Sequence, residues 1–141
     1  MSREDLLKAL FKYANHLYIW GESGPLYYDC SGLIFRILTD DLKIGPIQRL
    51  NAQGYYDYFK DKGTTALIPD LGCLAFYGKL DAIHHIALCL DRENIFESAR
   101  GDRNCTSAWI AQNKNAKVEV NPISRLPDLF AVLKPNNLIF T

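Results

Sequence analysis

Cys30 directly follows Asp29 and opens the apolar series Cys30, Leu33, Ile34, Ile37 and Leu38. That is the i, i+3, i+4, i+7, i+8 spacing of one helix face. Asp is a favoured N-cap, so the pattern predicts a helix whose first turn carries the thiol. A helix N-terminus attracts an anion and so favours a thiolate over a thiol. The effect is about 0.3–1 kcal/mol when exposed and up to about 2 kcal/mol when partly buried. One pKa unit corresponds to about 1.4 kcal/mol. A helix end therefore shifts a thiol by little more than one unit, and nucleophilic chemistry also calls for an imidazolium partner.

His84 and His85 are the candidates for that partner. Alternation along the apolar run Ile83–Leu90 places His85 with Ala87 and Cys89 on one face. His84 then falls with Ile86 and Leu88 on the other. Only one of the two histidines can meet Cys30 where sheet and helix pack, and alternation alone leaves the choice open. A third group must hold the imidazole in one tautomer. Glu97 is a carboxylate inside the apolar run Ile95–Ala99, which needs a reason. A hairpin between the two runs would set it beside His85.

The same residues have plainer uses. A cysteine at this spacing suits the buried face of a helix. His85 could be a structural strand residue, Glu97 could face solvent, and His16 reads as a surface or capping group. Cys73, Cys89 and Cys105 read as packing residues. Neither the cysteines nor the three histidines are spaced as zinc ligands, so no metal site is expected. A chain of 141 residues with this much apolar sequence does not need disulfides, so all four cysteines read as thiols.

The elements that must position these groups fall into two halves. Ser2 and Asp5 form a capping-box pattern, with Asp replacing the usual Glu, for a helix from about Arg3 to Asn15. Its apolar face reads Leu6, Leu7, Leu10, Phe11 and Ala14. A loop with Gly21, Gly24 and Pro25 follows, then the Cys30 helix, which stops before Gly45-Pro46. A third, weaker helix runs from about Asn51 to Lys60. Beyond it come short apolar runs at Cys73–Tyr77, Ile83–Leu90, Ile95–Ala99, Lys117–Val120 and Leu129–Leu133. Asn113, Lys114 and Asn115 read as a solvated turn. Helices followed by strands make an α+β fold, here an antiparallel sheet of about five strands with the early helices on one face.

Composition narrows the function classes. The sequence is 48% hydrophobic and 23% charged, as expected for one folded domain over residues 1–141. Lys plus Arg equals Asp plus Glu at 16 each, so net charge gives no reason to expect nucleic acid or an anionic membrane as partner. No apolar run approaches the ~18 residues of a membrane span. No uninterrupted apolar segment near the N-terminus marks a secretory signal.

Four segments, the first of them in two parts, together resemble the NlpC-type cell-wall peptidases. Tyr18-Ile19-Trp20-Gly21 and Tyr28-Asp29-Cys30-Ser31-Gly32-Leu33-Ile34 resemble the family's nucleophile segment. Gly72-Cys73-Leu74-Ala75-Phe76-Tyr77 resembles its first sheet strand. His85-Ile86-Ala87-Leu88-Cys89-Leu90 resembles its histidine strand, and Asn94-Ile95-Phe96-Glu97-Ser98-Ala99 the strand after it. Asp-Cys-Ser-Gly alone is a short motif; the order of all four segments gives it weight.

The resemblance implies a stripped-down papain-like fold with a Cys-His-polar triad. Cys30 maps to the nucleophile, His85 rather than His84 to the base, and Glu97 to the orienting position, where members most often carry His, Asn or Gln. Tyr18 maps to a tyrosine near the thiolate, and Asp29 and Ser31 to substrate-binding positions lining the cleft. Two departures concern substrate contacts: Gly21-Glu22 replaces two glycines, and Cys73 replaces an Asp.

The implied activity is that of a cysteine endopeptidase acting on peptidoglycan stem peptides, at the D-glutamyl–diamino acid bond, through an acyl-enzyme and without a cofactor. Acyl transfer, as in lecithin-retinol acyltransferase-like relatives, and an inactive interaction module are the rival readings. The expected setting is synthesis in the cytoplasm without a signal peptide, then action on the wall after delivery by a phage tail, a secretion system or lysis. An immunity protein is a further candidate partner.

Overall fold

The computed structural model describes residues 1–141. Helix α1, Arg3–Leu10, begins with the expected capping box: Ser2 Oγ accepts the Asp5 N–H at 3.0 Å and Asp5 Oδ2 accepts the Ser2 N–H at 3.2 Å. A 3₁₀ turn, Phe11–Tyr13, extends it. The buried stripe is Leu6, Leu10 and Tyr13, narrower than the expected face, because Leu7 and Phe11 are 45% and 78% exposed. Tyr13 decides which stripe turns inward, since its hydroxyl donates to Asp41 Oδ2 at 2.6 Å.

Helix α2, Cys30–Arg36, continues as a π-helical turn, Ile37–Leu42, and Lys43 ends it in the left-handed region at φ 57°. Helix α3, Ala52–Lys62, is capped by Asn51, whose side chain accepts the Gly54 N–H at 2.8 Å. The strands are β1 Gly63–Thr65, β2 Leu74–Lys79, β3 Ala82–Cys89, β4 Asn94–Ala99, β5 Lys117–Pro122 and β6 Leu129–Pro135. They form one antiparallel sheet in the order β1-β6-β2-β3-β4-β5.

The α+β reading holds, with two elements added. Strand β1 is a three-residue edge of Gly-Thr-Thr and shows no apolar alternation by which to find it. Helix α4, Ala108–Lys114, takes in Asn113 and Lys114, which had read as a solvated turn. Asn115 then caps it in the left-handed region at φ 53°. This helix is short and buries only Ala111, so it carries no periodic stripe.

Both faces of the sheet are covered. Leu74, Phe76, Ile86, Leu88 and Phe96 pack against Leu33, Ile34 and Ile37 of α2 and its extension and Tyr55 and Phe59 of α3. The opposite face, with Ala75, Tyr77, Ala87, Cys89 and Ile95, is closed by Ile123 and Leu126 from the β5–β6 connection. That second cover is why β2 and β3 read as nearly unbroken apolar runs rather than alternating ones. Alternation in β3 is also interrupted. Tyr77 pairs with His85 and Gly78 with Ile83, leaving His84 as the extra residue of a bulge. Ile83 consequently joins Ile86 and Leu88 on the helix side.

Candidate active site

Cys30 occupies the first turn of α2 because Asp29 caps that helix. Asp29 Oδ1 accepts the Gly32 N–H at 2.8 Å, and the Asp29 N–H donates to the Glu22 carbonyl at 2.9 Å. Two of the four N–H groups that a helix start leaves over are thereby satisfied. Those of Cys30 and Ser31 have no protein acceptor. Asp29 Oδ2 also accepts the Gly21 N–H at 2.7 Å, which draws the Tyr18–Gly21 segment over the helix start. Gly32 is required at this crossing: a Cβ there would lie 2.1 Å from the Glu22 carbonyl oxygen.

His85 is the histidine that reaches the thiol. Its Nε2 lies 2.6 Å from Glu97 Oε1, which leaves Nδ1 for Cys30. The Cys30 sulfur lies close enough to the ring for a side-chain hydrogen bond and a coulombic attraction to favour the charged imidazole. Burial opposes a charge on the ring, but the Cys30 sulfur and the Glu97 carboxylate more than offset it and raise the His85 pKa to about 9. His84 does not lie on the helix face with Ile86 and Leu88, as alternation had predicted. The bulge frees it, and its Nε2 pairs with Asp128 Oδ2 at 2.6 Å on the surface.

Glu97 is fully buried and accepts four hydrogen bonds. His85 Nε2 and Arg125 Nη2 reach Oε1 at 2.6 and 2.9 Å; Arg125 Nε and Asn121 Nδ2 reach Oε2 at 2.6 and 2.9 Å. Burial alone would raise its pKa, but the bonds from His85 and Arg125 outweigh that and hold it at about 2. Tyr77 steadies the surroundings: its ring lies 5.6 Å from that of His85, and its hydroxyl donates to the Ile123 carbonyl at 2.8 Å, at the start of the 3₁₀ turn Ile123–Arg125. The neighbouring Ser98 donates to the Tyr28 carbonyl at 2.6 Å, tying β4 to the segment before Cys30.

The six residues singled out from sequence do not all stand in one way. Cys30, His85, Tyr18, Asp29 and Ser31 line a cleft of about 710 Å³, with Glu97 behind His85. Asp29 and Ser31 are 3% and 5% exposed, and their polar atoms are engaged by Arg49, whose Nη2 donates to Asp29 Oδ1 and, at 3.2 Å, to Ser31 Oγ. They present an internally satisfied wall. The Tyr18 hydroxyl, by contrast, has no protein partner. Burial pushes its pKa above the ordinary value, with Cys30 and Asp29 adding to the shift, so it stays a proton donor. The Tyr18 ring rests on Gly101, where a Cβ would lie 2.0 Å from Cδ1.

Arg125, Asn121 and Arg49 were not anticipated. A buried carboxylate in an apolar strand did signal that a cation must lie nearby. Nothing in the sequence said which of the 16 Lys and Arg residues it was.

An NlpC/P60 family model matches residues 15–120, a span containing Tyr18, Cys30, His85 and Glu97. Arg125 lies just beyond it. No curated protein matches the chain. Among solved structures, the P60 domain of an antigen from M. avium subspecies paratuberculosis aligns with a TM-score of 0.66 at 21% identity, covering 97% of this chain and 96% of that one. NlpC1 from Trichomonas vaginalis gives 0.64 at 18%, covering 95% of this chain and 44% of that one. The peptidoglycan hydrolase RipB from Mycobacterium tuberculosis gives 0.64 at 18%, covering 95% and 64%. The chain thus spans less than half of the Trichomonas protein and under two-thirds of RipB. Their shared architecture is the stripped-down papain-like one that the four sequence segments implied. With the family model matched over residues 15–120, the chain belongs to the NlpC/P60 family.

Proposed function

We propose that this chain is a peptidoglycan hydrolase that works as a cysteine endopeptidase on stem peptides, with residues 1–141 acting as one catalytic domain. His85 Nδ1 takes the proton from the Cys30 thiol, and the thiolate attacks the scissile carbonyl carbon. The carbonyl oxygen gains the negative charge. The free N–H groups at the start of α2 and the Tyr18 hydroxyl are the donors available to it. As the tetrahedral species collapses, the His85 imidazolium gives its proton to the leaving amine and a thioester remains on Cys30. Water, deprotonated by His85, then attacks the thioester, releasing the new carboxyl group and returning the thiol.

Glu97 keeps the imidazole in the tautomer that presents Nδ1 to sulfur, and it stabilises the imidazolium between the two proton transfers. Arg125 in turn keeps Glu97 ionised. The observation that carries this reading is the arrangement itself: a thiol in the first turn of a capped helix, lining one cleft with a histidine whose far nitrogen is held by a buried carboxylate. The peptidoglycan substrate is supported by family membership and by the likeness to RipB, a peptidoglycan hydrolase. The bond proposed is that between D-glutamate and the diamino acid.

No helix is long and apolar enough to cross a membrane. Contact with the wall is proposed to follow delivery by a phage tail, a secretion system or lysis. Digestion of purified peptidoglycan, with fragments identified by mass spectrometry, tests the function. Wild type is expected to release peptides with a new N-terminus on the diamino acid, and Cys30→Ala to release none. Fragments arising from glycan cleavage, or equal release by both proteins, would overturn it.

A further inference from the structure

All but one of the charged side chains that line the Cys30 cleft have a partner of opposite charge. Asp29 pairs with Arg49, Glu97 with His85 and Arg125, Glu119 with Arg100, Asp102 with Lys114, and Asp128 with His84. Arg103 lines the same cleft and has neither an ion pair nor a hydrogen bond. Its guanidinium carbon lies 5.9 Å from the centroid of the Trp20 ring, which is itself 48% exposed.

The turn that carries Arg103 is braced. Asp102 accepts the Asn104 N–H on Oδ1 and the Cys105 N–H on its carbonyl, at 2.8 and 2.9 Å. Lys114 holds Asp102 Oδ2 at 2.9 Å. Cys105 is tied across to the Tyr18–Gly21 segment. Its carbonyl accepts the Trp20 N–H at 2.9 Å and its thiol donates to the Tyr18 carbonyl at 3.2 Å. The arginine and the indole are therefore held together by the loops that shape the cleft.

We propose that Arg103, resting on Trp20, is a subsite for a carboxylate of the peptide substrate, so that the cleft selects a peptide with a free carboxylate over its carboxamide counterpart. The choice of a peptide as the ligand rests on the hydrolase reading above. A cation–π contact with the indole favours the guanidinium at this place while leaving its N–H groups available. That fork matches a carboxylate through two parallel hydrogen bonds, which a carboxamide cannot reproduce. Because the other charges of the cleft are compensated, Arg103 sets the sign of the field a ligand meets.

Alkylation of Cys30 tests the subsite without any peptide. Iodoacetate and iodoacetamide both displace iodide to form a thioether on sulfur, and differ only in carboxylate against carboxamide. Cys73, Cys89 and Cys105 are buried, so Cys30 is the accessible thiol; Cys30→Ala provides the control. The ratio of the iodoacetate to the iodoacetamide rate constant is expected to fall about threefold or more in Arg103→Gln and to be largely kept in Arg103→Lys. An unchanged ratio in Arg103→Gln would overturn the proposal.

A second arm uses two synthetic muropeptides that differ only in a free or amidated carboxyl group beside the scissile bond. Wild type is expected to favour the free acid by roughly tenfold in kcat/KM, and Arg103→Gln to lose that preference. Equal cleavage of both by wild type would also overturn the proposal. Cleavage of neither by wild type counts against the peptidoglycan reading, and the alkylation ratio then decides the role of Arg103 alone.

Discussion

The guanidinium of Arg125 holds both oxygens of the Glu97 carboxylate, with Nε 2.6 Å from Oε2 and Nη2 2.9 Å from Oε1. Glu97 therefore sits between two cations, Arg125 on one side and the His85 ring on the other. That accounts for a charged carboxylate in a fully buried position, and it couples the charge state of His85 to a residue 40 positions away in sequence.

Removing one member of a buried ion pair leaves the other uncompensated, which costs about 3–5 kcal/mol. Because the His85 ring and Asn121 still face Glu97, Arg125→Met is expected to cost no more than the lower end of that range, about 3 kcal/mol. The double variant Arg125→Met, Glu97→Gln should recover most of the loss, because no buried charge is then stranded. Urea denaturation of the four proteins of this cycle measures both effects. A double variant no more stable than Arg125→Met would show that the pair is not the source of the cost.

The pKa shifts make stability depend on pH in two windows. Glu97 titrates at about 2 against an ordinary 4.5, so its contribution is complete above 4.5 and is lost as pH falls toward 2. His85 titrates at about 9 against an ordinary 6.5, so its contribution is complete below 6.5 and is lost as pH rises from 6.5 to 9. Melting temperatures across a pH series should show both declines. Glu97→Gln is expected to flatten the acid one and His85→Ala the alkaline one.

Activity should follow a bell-shaped pH profile whose alkaline limb reports loss of the imidazolium proton. In Glu97→Gln the anion that favours this proton is gone while the Arg125 cation stays, and both changes disfavour the imidazolium. The alkaline limb is expected to move to lower pH, and turnover to fall less than in His85→Ala. Rates on purified peptidoglycan across the pH series measure the limb. If it does not move, Glu97 does not govern the histidine.

Cys30→Ala and His85→Ala are each expected to lower turnover by at least about a thousandfold, since a nucleophile and base in the proposed roles act as a unit. The effect of His84→Ala should be far milder. It removes an exposed hydrogen-bonded contact with Asp128, a loss of about 0–1 kcal/mol in stability. A His84→Ala loss as large as that of His85→Ala would refute the assignment of the base.

Gly101→Ala brings a methyl group to 2.0 Å from Tyr18 Cδ1 and must displace the ring. Overpacking of this kind costs about 1–3 kcal/mol. Both melting temperature and turnover are expected to drop. In a Tyr18→Ala background the same substitution should cost much less, a coupling that a double-mutant cycle reads directly.

Much of the site was visible in the sequence because it depends on neighbours along the chain. The Asp29 cap, the thiol in the first helical turn and the Leu33, Ile34, Ile37 stripe are interactions over one to eight residues, and they formed as expected. Glu97 announced itself as a charge in an apolar strand. Helix α4 and strand β1 left no such trace, being too short to show a period.

The tertiary structure decided what local pattern could not. His84 and His85 differ by one position, and strict alternation assigns them to opposite faces without naming the one that meets Cys30. The bulge opposite Tyr77 and Gly78 turns His84 out to Asp128 and leaves His85 beside Glu97, and a bulge depends on how two strands pair. Arg125 reaches Glu97 only because the β5–β6 connection folds back over the sheet, where Ile123 and Leu126 are buried against it. The sequence by itself determined the Cys30 helix and the need for a buried countercharge. Which cation answers that need was decided by the three-dimensional packing of segments far apart in sequence, because burial penalises an unpaired charge wherever its partner comes from.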